Sequence, residues 1–133
     1  MYLRPPKEAN TNNIWHLKKC VYGLADACRY WYLQVKEVLT SPKGNICPSD
    51  QGIFTWYEEN SISGIITCFV DDIIWGGTES FYKNVVEKFK NTFKIGSESV
   101  ECFTYLGINI KQRNDFSIEI DQSSYVDTIT PIE

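Results

Sequence analysis

A chain of 133 residues, 43% hydrophobic, 14% aromatic and 23% charged, is too apolar to stay disordered and long enough to bury roughly two-thirds of its unfolded surface. Its formal net charge of −4 is unevenly spread: residues 1–44 hold seven Lys and Arg against three Asp and Glu, net +4, whereas residues 45–133 hold six against fourteen, net −8. Only the N-terminal third offers a basic face for phosphates, which argues against strong autonomous nucleic-acid binding by the chain as a whole.

In chain order, Arg4-Pro5-Pro6-Lys7 cannot continue a helix, because both prolines fix φ and lack a donor, and Asn10-Thr11-Asn12-Asn13 reads as a loop. Ile14 to Leu17 suggest a short strand. After Gly23, the residues Cys28, Trp31, Tyr32, Val35, Val38 and Leu39 recur at steps of three and four, an apolar stripe that predicts a helix from about Asp26 to Thr40, stopped by Pro42 and Gly44.

The β-branched and aromatic runs 53–57 and 62–70 flank Glu58-Glu59-Asn60-Ser61 and predict an antiparallel pair. A second, tight hairpin follows, in which the runs ending at Val70 and beginning at Ile73 leave Asp71 and Asp72 as the two central residues. Gly76-Gly77 closes it, Thr78 is an N-cap, and Phe81, Val85, Val86, Phe89 and Phe93 mark a second amphipathic helix ending near Ile95-Gly96. Runs 103–110 and 116–120 suggest a third hairpin, and a short helix begins near Gln122 and stops before Pro131. Helices alternating with hairpins, and no internal repeat, predict an α+β fold with helices packed on an antiparallel sheet.

Cys20, Cys28, Cys47, Cys68 and Cys102 are an odd set without CxxC spacing, and the single histidine, His16, has no cysteine at ligand spacing. This excludes a zinc ribbon or disulfide framework and points to a reduced intracellular compartment. No apolar run approaches the ~18 residues of a membrane span, and no membrane partner is expected.

The chemistry concentrates in two places. Adjacent carboxylates between the apolar neighbours Phe69, Val70, Ile73 and Ile74 need water or a cation to replace lost hydration. Composition alone favours an ordinary exposed turn, where Asp bonds local backbone; the all-apolar strands on both sides instead suggest a hairpin tip at a working surface, where Asp71 and Asp72 help to hold Mg²⁺. Alternation along a strand aims the two at opposite faces unless the turn bends them together, so one is the principal ligand and a further acidic partner is expected. The second place is the run from Leu17 to Tyr32, where cations and aromatics surround Gly23 ahead of a helix. Lys and Arg here would meet phosphates, Tyr or Trp could stack on a base, and Gly23 lets backbone approach closely. Taken by themselves, Trp31 and Tyr32 read as core residues and the two lysines as solvated.

Taken together and in order, Leu3-Arg4-Pro5-Pro6, the segment LKKCVYGLADACRYWY, Phe69-Val70-Asp71-Asp72, Phe93-Lys94-Ile95-Gly96 and the segment FTYLGINI resemble the reverse transcriptase of copia-type LTR retrotransposons, an RNA-dependent DNA polymerase. The resemblance implies that Asp71 and Asp72 are catalytic, metal-binding carboxylates of the polymerase palm, with Asp71 the principal ligand. It implies that Lys18, Lys19, Tyr22, Gly23 and Arg29 lie near nucleotide and template, and that Phe103, Tyr105, Leu106 and Gly107 lie near the primer terminus. Two Mg²⁺ ions, an RNA template, a DNA primer and deoxynucleoside triphosphates are the partners of the intact enzyme. Where the family commonly continues Tyr-Gly-Leu with Lys-Gln-Ala-Pro-Arg, this chain has Ala25, Asp26, Ala27, Cys28 and Arg29; Asp26 and the run Ile74-Trp75-Gly76-Gly77 are similar to the GalEa-like animal branch.

The resemblance also implies a catalytic Asp upstream of the segment matched by Tyr2 to Pro6, with fingers and thumb outside residues 1–133. The expectation is a single, partial palm domain that binds Mg²⁺ weakly or not at all and does not extend a primer by itself, located in the cytoplasm or in retrotransposon particles. Without that upstream strand, an exposed edge along Ile65 to Val70 invites self-association. The alternative reading is a non-catalytic nucleic-acid-binding or protein-interaction module derived from a retrotransposon.

Overall fold

The computed structural model describes residues 2–18, 21 and 23–130. Short strands β1 (Tyr2–Leu3) and β2 (Trp15–His16) pair with each other, bridged by a stack of the Tyr2 and His16 rings 4.8 Å apart. Helix α1 (Ala27–Thr40) follows, then an antiparallel sheet of β3 (Asn45–Ile46), β4 (Ile53–Glu58), β5 (Ser61–Phe69) and β6 (Asp72–Gly77), in that spatial order. A continuous helical segment returns over it, composed of α2 (Glu79–Phe81), a π-helical stretch (Tyr82–Val86) and α3 (Glu87–Thr92). A separate three-stranded sheet of β7 (Cys102–Tyr105), β8 (Ile108–Gln112) and β9 (Ile118–Asp121) precedes the short α4 (Ser123–Val126). The fold is α+β, as the alternation of periods predicts.

Strand alternation turns Phe54, Trp56 and Ile66 toward one face of the four-stranded sheet, and both helical segments cover that face. Val35 and Leu39 come from α1, and Phe81, Val85, Val86 and Phe89 from the returning helix. Leu39 and Phe54 are fully buried; each such side chain is worth roughly 1.5–3 kcal/mol relative to leaving it in water. Polar atoms drawn into this layer are satisfied: the Trp56 indole N–H donates to the Pro42 carbonyl at 3.1 Å, and the Tyr32 hydroxyl to the Gln51 carbonyl at 3.2 Å. Thr78 caps the returning helix, its hydroxyl oxygen accepting from the Phe81 N–H at 3.2 Å.

Gly64 and Gly77 stand opposite each other on β5 and β6 and form the socket for Phe81. A Cβ at Gly64 would lie 2.2 Å from the Phe81 ring, and one at Gly77 2.5 Å from it. The two absent side chains let the ring sit directly on the backbone.

Three expectations are corrected. The FTYLGINI run is not one strand: it folds back at Leu106 and Gly107, whose φ values of 51° and 79° form a two-residue turn between β7 and β8. The returning helix stops at Thr92, because Phe93 is already extended at φ −111°, ψ 139°. The segment from Ile65 is not an edge, since β5 is paired by β4 on one side and β6 on the other. Among the described residues the open edge beside the carboxylates is that of β6.

Candidate functional site

The β5–β6 hairpin carries the carboxylates, and its register differs from the sequence expectation by one residue. Phe69 pairs with Asp72, so the two turn residues are Val70 and Asp71, while Asp72 is the first residue of β6. Val70 has φ 56°. A β-branched side chain in the left-handed region costs on the order of 1–3 kcal/mol and persists only where surrounding structure supports it. Because Asp71 lies in the turn and Asp72 on the strand, simple alternation does not dictate their relative directions.

That support comes from α1. The Trp31 indole N–H donates to the Val70 carbonyl at 2.5 Å, and the Trp31 ring meets Phe93 edge-on with centroids 5.0 Å apart. Phe93 in turn packs on Phe89 at 4.6 Å, joining the hairpin tip to the core. Read from sequence alone, Trp31 belongs to the apolar stripe. The overlooked signal is that a partly buried indole also needs an acceptor for its N–H.

The face of the hairpin away from the helices receives a different contact. Cys68, Ile73 and Trp75 pack against the core, so Thr67, Phe69, Asp72 and Ile74 occupy the opposite face. There the Tyr105 hydroxyl lies 3.4 Å from the Thr67 Oγ1, a hydrogen bond tying β7 to β5. The hairpin tip is open: Asp71 and Asp72 are exposed, as are Phe69 and Val70. Burial pushes the Cys68 thiol up to about 12, which keeps it neutral and inert behind the tip.

The other predicted site residues are distributed as follows. Lys18 is exposed, Gly23 has φ 91° with open space around it, and Arg29 is exposed in the first turn of α1, two positions before Trp31. Lys19 and Tyr22 lie outside the described residues. Phe103 and Tyr105 are half-buried on β7, and Leu106 and Gly107 are the exposed turn beyond them. Trp31 and Tyr105 therefore tie α1 and β7 to the hairpin that carries Asp71 and Asp72. Asn109, in the same FTYLGINI run, serves the second sheet: its amide donates to the Asp121 carboxylate at 2.9 Å. The Ser123 hydroxyl, Asn109 and the Ser123 backbone together hold Asp121 down to about 2.

Asp71 and Asp72 offer hard oxygen donors that suit Mg²⁺ chemistry. Among the described residues no three His, Cys, Asp or Glu side chains gather as a metal cage. No helix among the described residues is long and apolar enough to cross a membrane.

A stretch of the retrovirus-related Pol polyprotein from transposon RE1 of Arabidopsis thaliana is 28% identical over 116 residues, 86% of this chain and 8% of that protein. The corresponding polyprotein from transposon RE2 of the same plant is 27% identical over 100 residues, 74% of this chain and 7% of that protein. No solved structure gives a significant match. The chain thus spans less than a tenth of the length of the curated relatives it matches. The profile described as reverse transcriptase (RNA-dependent DNA polymerase) matches residues 1–131, and the chain belongs to that family.

Proposed function

We propose that residues 1–133 are part of a reverse transcriptase palm and that Asp71 and Asp72 contribute to its metal site, within a longer protein that copies an RNA template into DNA. The observation that supports this reading is that two family segments outside the β5–β6 hairpin contact it, Trp31 at the Val70 carbonyl of the turn and Tyr105 at Thr67 on β5. The face bearing Asp72, Thr67 and Phe69 is left uncovered by the helices and suits a template and primer duplex, with Phe103, Tyr105, Leu106 and Gly107 toward the primer. Lys18, Lys19, Tyr22, Gly23 and Arg29 are the candidates for nucleotide and template contacts, cations meeting phosphates and the aromatic ring stacking on a base.

Bound Mg²⁺ supplies activation of the primer 3′ hydroxyl and charge stabilisation on the leaving pyrophosphate. The chain's own part is to hold Asp71 and Asp72 at the tip as ligands and to exclude competing side chains from it. Two carboxylates make a weak site, and a further acidic group from the longer protein completes it. The open edge of β6 is where an additional strand could pair, or where a second copy would pair in its absence. Cytoplasm or retrotransposon particles are the compartments that fit this role.

The test is Mn²⁺ titration followed by nuclear magnetic resonance. Selective broadening of the amides of Val70, Asp71 and Asp72 at millimolar Mn²⁺, lost in Asp71→Asn, supports the reading. Broadening spread evenly over the acidic residues of the chain overturns it.

A further inference from the structure

Resting on that reading of the carboxylates, we infer that Trp31 is a positioning residue: its indole N–H clasps the Val70 carbonyl and sets the shape of the turn that presents Asp71 and Asp72. The turn has Val70 at φ 56°, where two-residue hairpins ordinarily place glycine. Val70, a β-branched residue, disfavours that shape, so contacts from elsewhere in the fold help to impose it. One such contact comes from 39 residues away, at the Val70 carbonyl.

Trp31 is suited to this in a way other core residues are not. Its ring is anchored edge-on against Phe93, itself stacked on buried Phe89, so the donor has little freedom to follow a moving turn. A phenylalanine in its place would retain the ring contact and lose the donor. The same bond ties α1, whose first turn carries Arg29, to the carboxylate tip, so it couples the placement of a proposed nucleotide-contacting group to that of the metal-binding ones.

The experiment compares the wild-type chain with Trp31→Phe, which removes the N–H, and Phe93→Leu, which loosens the ring contact and keeps the N–H. In metal-free protein, amide exchange at Asp71 and Asp72 is expected to accelerate at least tenfold in Trp31→Phe and little in Phe93→Leu, and Mn²⁺ broadening at the tip is expected to need about fivefold more metal in Trp31→Phe. Equal acceleration in both variants reduces Trp31 to packing and overturns the inference, as does no acceleration in either. Should Trp31→Phe fail to fold, the wild-type chain still decides: the Trp31 indole proton must exchange more slowly than that of exposed Trp15, and equal rates overturn the clasp. Absence of Mn²⁺ broadening at the wild-type tip instead overturns the metal reading, and the exchange data then judge the clasp by themselves.

Discussion

Trp31 in α1 donates its indole N–H to the carbonyl of Val70, the residue that begins the carboxylate turn. The bond spans the boundary between the helical layer and the sheet tip, and it meets the backbone at the position of least favourable φ in the hairpin. A turn held in this way stays in one shape without a glycine, so its side chains keep fixed directions even though they are solvent-exposed.

Replacing Val70 by Gly removes the left-handed penalty on a β-branched residue at the cost of glycine's greater unfolded freedom. With roughly 1–3 kcal/mol relieved against 0.5–1 kcal/mol lost, Val70→Gly should stabilise the chain by about 1 kcal/mol. Urea unfolding measures this, and a lower midpoint with an unchanged slope would contradict it.

Gly64 faces the opposite constraint. A methyl group there would overlap the buried Phe81 ring, so Gly64→Ala should destabilise by about 1–3 kcal/mol through overpacking. Combining it with Phe81→Leu should cost less than the sum of the two single changes. Strict additivity in that double-mutant cycle would show that the socket does not couple them.

Asp121 sets a pH dependence with a defined sign. Its carboxyl falls from an ordinary 3.8 to about 2 in the folded chain, held down first by the Ser123 hydroxyl and then by Asn109. Its contribution to folding is therefore present above pH 3.8 and is lost as the pH falls toward 2. A carboxyl-carbon titration of Asp121 should show the low midpoint, and Asn109→Ala should move it upward. A wild-type midpoint near 3.8 would contradict the arrangement.

Thiol chemistry should divide the cysteines by burial. Exposed Cys28 and Cys102 should alkylate readily with iodoacetamide at pH 8, whereas Cys68, its thiol pushed up to about 12 by burial, should stay unmodified until the chain unfolds. Peptide mass mapping of the native protein reads the order directly. Cys68 reacting as fast as Cys28 would mean that β5 opens under native conditions.

Periodicity made the sheet and both major helical segments legible. Val35 and Leu39, and Phe81, Val85 and Phe89, repeat at helical spacing and are the residues that fill the core. Turns were read less well. The apolar runs on either side of Asp71-Asp72 put the hairpin tip at that pair, yet the tip is Val70-Asp71; likewise Leu106, another poor turn former by residue type, begins the β7–β8 turn at φ 51°. At Val70 a distant contact from Trp31 accompanies the departure from local preference, which a single sequence does not reveal. Of the candidate site, the carboxylates and the β7 segment were visible as motifs. The contacts of Trp31 and Thr67 were not, because a tryptophan on an apolar stripe and a threonine within a strand carry no sign of the distant group each one bonds.

The π-helical stretch Tyr82–Val86 has a reach beyond its five residues. A wider spiral accommodates one residue more per turn than an α-helix does, and here Val85 and Val86, adjacent in sequence, both enter the core. Removing one residue would rotate the rest of the helix by about 100° about its axis, carrying Phe89 away from Phe93, the ring that Trp31 meets. A single surplus residue in a helix with no acidic ligand of its own thus acts as the spacer that fixes the angular phase of the carboxylate turn's support.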